Sequence, residues 1–208
     1  MRKLTRTAAV VAALSCLGTL AQGPPTLDTF TSPDGNFQFV YPDSYELLVG
    51  ERILKATQGL QATLPVCDFS TAVACVIYPV EKERETWLEA AGFTVATVAG
   101  ANESDCLSYK DEKSRSRTLD LSSTSISIRW RKFRHASGTK KLPGHVQSSD
   151  FYRTFTRQKC YELQIQVSIS EDAVHQKVSV PNSLGDATAN SARESLKLIL
   201  SSVVFESE

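Results

Sequence analysis

Four cysteines, Cys67, Cys75, Cys106 and Cys160, carry the strongest chemical signal in the chain. They allow three disulfide pairings. Cys67 and Cys75 bracket only seven residues, with a turn expected at Asp68 to Thr71, so the two thiols can meet locally across a hairpin or loop. That leaves Cys106 to pair with Cys160, a long-range staple between a mid-chain loop and a strand. A metal centre is the rival use of such thiols. The spacing has no C-x-x-C and the chain has only three histidines, so two disulfides are expected and neither a metal nor another cofactor.

The run Arg129-Trp130-Arg131-Lys132-Phe133-Arg134-His135 interleaves cations with aromatic rings, a composition that holds phosphates, sulfates or stacked rings. If Ile126, Ile128 and Trp130 face the core, Arg129 and Arg131 project from the opposite face, where Arg153 of a neighbouring strand can join them. Arg129, Arg131, Lys132 and Arg153 are therefore the candidate ligand-binding residues. The structural alternative is that these cations pair across strands with Glu162 or with the acidic first half of the chain.

Nucleophilic catalysis has weaker support. Ser148 or Ser149 lies near His145 and Asp150 in sequence, but no G-x-S-x-G elbow is present, and His135, His145 and His175 are scattered. No phosphate loop, H-E-x-x-H or dinucleotide fingerprint occurs. No catalytic residue is assigned, and the chain is expected not to be an enzyme. Glu81 to Glu85 is a mixed-charge run that suits a solvated turn.

The setting comes from residues 1–21. Arg2, Lys3 and Arg6 precede an apolar run from Ala8 to Leu20 that ends in Thr19-Leu20-Ala21, the pattern of a secretory signal cleaved after Ala21. The run is shorter than a membrane span. The residue three before Cys16 is Ala13 rather than a large aliphatic, which argues against a lipid anchor at Cys16. A secreted or periplasmic location follows, where disulfides persist. Of 23 basic and 23 acidic residues, removing the three leader cations leaves a net charge of about −3, so no nucleic acid partner is expected. Lys110 to Lys159 nevertheless holds 13 basic and 4 acidic residues.

Residues 22–208 lack a linker or repeat and are expected to form one domain. Asp34-Gly35 signals a turn into Phe37-Gln38-Phe39-Val40-Tyr41, whose aromatics alternate onto one face. Further strands are expected at Ala72 to Tyr78, Phe93 to Val98, Thr124 to Phe133, Phe151 to Thr156 and Cys160 to Ile169. In the last, Tyr161, Leu163, Ile165, Val167 and Ile169 point inward. Cys160, Glu162, Gln164, Gln166 and Ser168 point to water. Glu85 to Ala91 suits a short helix or turn. Ser191 to Glu194 reads as a capping box opening a C-terminal helix, with Leu196, Ile199, Leu200 and Val203 on its apolar stripe. The sum is an α+β fold, an antiparallel sheet covered by at least one C-terminal helix.

The segment FQFVYPDSY and the closing helix that runs into Ser202-Val203-Val204-Phe205 resemble domains with the fold of PsbP, the photosystem II extrinsic subunit. ACVIYP at 74 to 79, AAGFTVATV at 90 to 98, DCL at 105 to 107, GHVQSSDFYRTF at 144 to 155 and CYEL at 160 to 163 resemble a group of uncharacterised secreted bacterial proteins. The resemblance implies a PsbP-like α/β sandwich and an extracytoplasmic location, and no activity. The expected role is a non-enzymatic interaction module whose partner is a protein or envelope component. The alternative is a binder of anionic small molecules or of glycan or lipid head groups through a basic sheet face, and a third is a hydrolase without a recognisable motif.

Overall fold

The computed structural model describes residues 26–53, 66–67, 71–80, 87–98, 102–108, 118–171 and 184–206. The expected leader at 1–21, Cys16, the Glu81 to Glu85 run and His175 lie outside the described residues. The fold is α+β, a single domain built on antiparallel pairing throughout. A small sheet has the order β1 (Leu27–Thr31), β2 (Phe37–Pro42), β10 (Val204–Phe205). The large sheet runs β3 (Glu46–Val49), β4 (Ala72–Ile77), β5 (Leu88–Val98), β9 (Lys159–Ser170), β8 (His145–Thr156), β7 (Arg131–Leu142), β6 (Thr118–Ile128).

One face of the large sheet supplies the apolar core. Tyr161, Leu163, Ile165 and Val167 of β9 meet Phe93 and Val95 of β5, and the small sheet and the C-terminal helix (Leu184–Ser202) close over them. The alternation of β2 sends Phe37, Phe39 and Tyr41 inward as expected, where Phe39 meets Phe93 edge-on at 5.5 Å and Phe37 meets Tyr161 at 5.7 Å. Leu196, Ile199, Leu200 and Val203 are buried, as their spacing predicts. The helix begins earlier than expected, at Leu184, which places Ser191 inside it and not at its cap. A capping box can satisfy free donors only at a chain-initiated first turn, and here the preceding residues are already helical.

The opposite face of β9 departs from expectation. Cys160, Glu162, Gln164, Gln166 and Ser168 do not face water; all five are buried. β9 is the middle strand of seven, and its polar face is covered. On the β4–β5 side, Thr94 Oγ1 donates to the Val66 carbonyl at 3.2 Å, and Gly92 lies so close to Val66 that a Cβ there would stand 3.3 Å from its side chain. On the β8 side a short helix, Glu103–Cys106, is seated with Cys106 fully buried. Both covering segments are tied down covalently, by Cys67–Cys75 and by Cys106–Cys160. This is the connectivity that the cysteine spacing predicts. A polar sheet face offers little hydrophobic adhesion, so covalent staples are a physically sensible way to hold a cover on it.

Three further differences are local. Thr124 to Phe133 is not one strand, because a two-residue turn at Arg129-Trp130 divides β6 from β7, pairing Ile128 with Arg131. Arg129 takes φ 54°, a left-handed conformation that glycine usually supplies, so the turn leaves no composition signal. Leu88 to Ala91 is strand, not helix, and β1 and β3 have no strong period of their own.

The Asp34-Gly35 turn docks on the β8–β9 hairpin. Asp34 accepts from Ser32 Oγ at 2.8 Å, from the Asn36 backbone N–H at 3.2 Å and from Lys159 Nζ at 3.0 Å. Burial raises its carboxyl pKa, but the hydrogen bonds from Lys159, Ser32 and Asn36 outweigh that and hold it at about 2. A depressed carboxylate contributes stability that is full above its unfolded value of about 3.9 and is lost as pH falls through the folded one. The parent should therefore melt above Asp34→Asn at pH 5, with the gap closing toward pH 2. A gap independent of pH would remove this role for Asp34.

Candidate interaction surface

The four candidate cations do not converge on one sheet face. Arg129, at the β6–β7 turn, donates from Nε to the Ser201 carbonyl at 3.0 Å, in the last turn of the C-terminal helix, where free carbonyls and the helix dipole favour a cation. Arg131 follows the turn and shares a face with Phe133, so it points to the core side and lies 5.2 Å over the Phe205 ring. Lys132 is exposed on the opposite face. Arg153 is buried, and its Nε donates to Glu162 Oε2 at 2.6 Å, the cross-strand pairing that the structural alternative predicts for it.

Trp130 is the residue whose environment differs most from expectation. Expected in the core, it stands at the apex of the hairpin and is 71% exposed, with the Arg129 guanidinium 6.0 Å from its ring. The two-residue turn interrupts strand alternation, which is why counting from Ile126 and Ile128 put Trp130 and Arg131 on the wrong faces. A signal was available in the charges. From Leu121 to Ser149 there are six Lys and Arg residues and no Asp or Glu, so the apical part of the β6–β7 hairpin carries no acidic residue, and Asp120 of β6 stands at the far end, opposite Ser137.

A second polar cluster sits at the rim of the core side. His135 of β7 stacks on Tyr152 of β8, with ring centroids 4.6 Å apart, and its Nε2 lies 3.3 Å from Asp150 Oδ1. Arg193 of the C-terminal helix places Nε 3.7 Å from Asp150 Oδ2 and donates from Nη2 to Ser148 Oγ. Burial, with Asp150 nearby, pushes the Tyr152 hydroxyl pKa well up. Ser148 and Asp150 thus come together, but through Arg193 and not through a histidine. A guanidinium is always protonated and cannot accept the serine proton, so this contact does not activate Ser148. His145, the histidine nearest in sequence, instead pairs through Nδ1 with Glu89 of β5. Arg193 and Glu89 escaped sequence reasoning, because partners 45 and 56 residues away leave no local pattern.

No family model matches the chain, and no curated protein matches it in sequence. Solved structures with a similar arrangement do exist. A Bacteroides thetaiotaomicron protein matches over 86% of this chain and 48% of its own, at 12% identity and TM-score 0.44, so this chain spans about half the length of that protein. A cyanobacterial PsbP (CyanoP) from Synechocystis matches over 92% and 98% at 10% identity and TM-score 0.45. The Saccharomyces cerevisiae Ran-binding protein Mog1p matches over 88% and 96% at 10% identity and TM-score 0.46. These likenesses concern the general arrangement of strands and helix. They assign neither a family nor a function.

Proposed function

We propose that the chain is a secreted or periplasmic, non-enzymatic interaction module whose contact element is the apex of the β6–β7 hairpin. The observation that carries this reading is the exposure of Trp130 among Arg129, Arg131 and Lys132. A large indole held in water gives up the gain of burial, and Trp and Arg are the side chains most often found at the energetic centre of interfaces. The leader sequence supports the location. Among the described residues no helix is long and apolar enough to cross a membrane.

The test is retention of envelope components on the immobilised protein. Trp130→Ala should reduce retention by about tenfold, in line with a central interface residue, while the melting temperature stays within about 1 °C, since an exposed side chain contributes little to folding. Equal retention by parent and variant would overturn the assignment of the apex.

A further inference from the structure

We propose that the surface engaged by the β6–β7 apex is an anionic lipid bilayer. This deepens the reading above and rests on it. Among the described residues only three large apolar side chains are exposed, Leu27, Trp130 and Leu198, and two of them belong to one end of the molecule. Leu198 precedes Ser201 by three residues on the C-terminal helix, one turn along the same face, and Ser201 is the residue whose carbonyl receives Arg129. Trp130 and Leu198, each 71% exposed, therefore flank the junction of hairpin and helix end.

The charge around this end selects the occupant. Arg129, Arg131 and Lys132 make no ion pair among the described residues; Arg129 is spent on a neutral carbonyl and Arg131 on a ring. No carboxylate among the described residues pairs with Arg131 or Lys132, the helix end offsets the charge of Arg129 only in part, and the sequence from Leu121 to Ser149 contributes no carboxylate. A side chain at the apex of a two-residue turn protrudes. It suits a soft, laterally continuous surface that needs no matching pocket. Indole rings settle at the level of lipid head groups, and Lys and Arg beside them gain from the negative potential of anionic lipids. One protruding aromatic, a second exposed apolar side chain on the helix that the hairpin contacts, and cations without an ion pair among the described residues match that surface in polarity and sign.

The experiment is co-sedimentation of the full, processed chain with vesicles of phosphatidylglycerol and phosphatidylcholine, and with vesicles of phosphatidylcholine alone. In parallel, Trp130 emission is followed in a Trp87→Phe background. The expected result is binding to the anionic vesicles with a blue shift of Trp130, little binding to the neutral ones, and loss of binding in salt near ~1 M, where charge attraction is screened. Trp130→Ala and Lys132→Glu should each weaken binding by about tenfold without lowering the melting temperature by more than about 1 °C. Failure of the parent to bind anionic vesicles, equal binding to neutral ones, or unchanged binding in both variants would overturn the proposal. The two readings fail separately. If vesicles do not bind but Trp130-dependent retention of envelope proteins survives delipidation by detergent, the apex remains a contact element and only the lipid assignment falls; if neither occurs, both fall.

Discussion

Glu162→Ala, with Arg153 left in place, is expected to cost about 3 to 5 kcal/mol of folding stability, the range for removing one partner of a buried ion pair. The Glu162 side chain is 1% exposed and that of Arg153 10%, with the charge-assisted bond between them at 2.6 Å. Truncating Glu162 leaves a guanidinium buried without its counter-ion. Removing both charges has a different consequence. Arg153→Met with Glu162→Leu fills similar volume without a charge to desolvate, and the double variant should recover most of the loss. Urea unfolding followed by circular dichroism measures all three proteins. A loss below about 1 kcal/mol for Glu162→Ala is the value of an exposed pair and would mean that the polar face of β9 is open to water.

Replacing Cys106 and Cys160 together by Ser should cost about 4 kcal/mol, against about 2 to 3 kcal/mol for Cys67 and Cys75, because the first bridge closes the longer loop in the unfolded chain. The sequence separations are 54 and 8 residues. Each bridge also holds a cover over polar side chains, so the loosened states should expose Gln164 and its neighbours to solvent. Denaturant titration of the two double variants and hydrogen exchange along β9 report the two effects. A larger loss for the Cys67–Cys75 variant would show that cover packing outweighs loop closure. Unchanged exchange along β9 in both variants would show that the covers stay seated without their bridges.

Legibility followed the range of the physical signal. The aromatic alternation of β2 and the apolar face of β9 were readable, because side-chain direction in a strand reverses every residue and one buried face imposes a period of two. The helical stripe at Leu196, Ile199, Leu200 and Val203 was readable for the same kind of reason, with a period near 3.6. Pairing of the cysteines was readable because two of the four are close in sequence, leaving one simple arrangement for the others. The candidate site was legible only in part. Its residues could be named from charge and aromaticity, but the turn at Arg129-Trp130 has no glycine, asparagine or proline to announce it, and one missed turn reverses the face of every residue that follows.

The sequence alone determined which side chains share a face in β2, in β9 and along the C-terminal helix, which cysteines pair and that the fold is α+β, since each is set by near-neighbour spacing or by small-number combinatorics. Tertiary structure decided what covers each face. Gln164 and Gln166 alternate like solvent-facing residues, yet they are buried because β9 lies at the centre of the large sheet and disulfide-tied segments lie over its polar side. Tertiary structure also decided which cations are spent and which are free to act. Arg153 is committed to Glu162 and Arg129 to the end of the C-terminal helix, whereas Lys132 remains in solvent, two residues from the exposed Trp130. Burial and pairing depend on groups brought together from distant parts of the chain, and a periodicity of two or 3.6 residues contains no information about them.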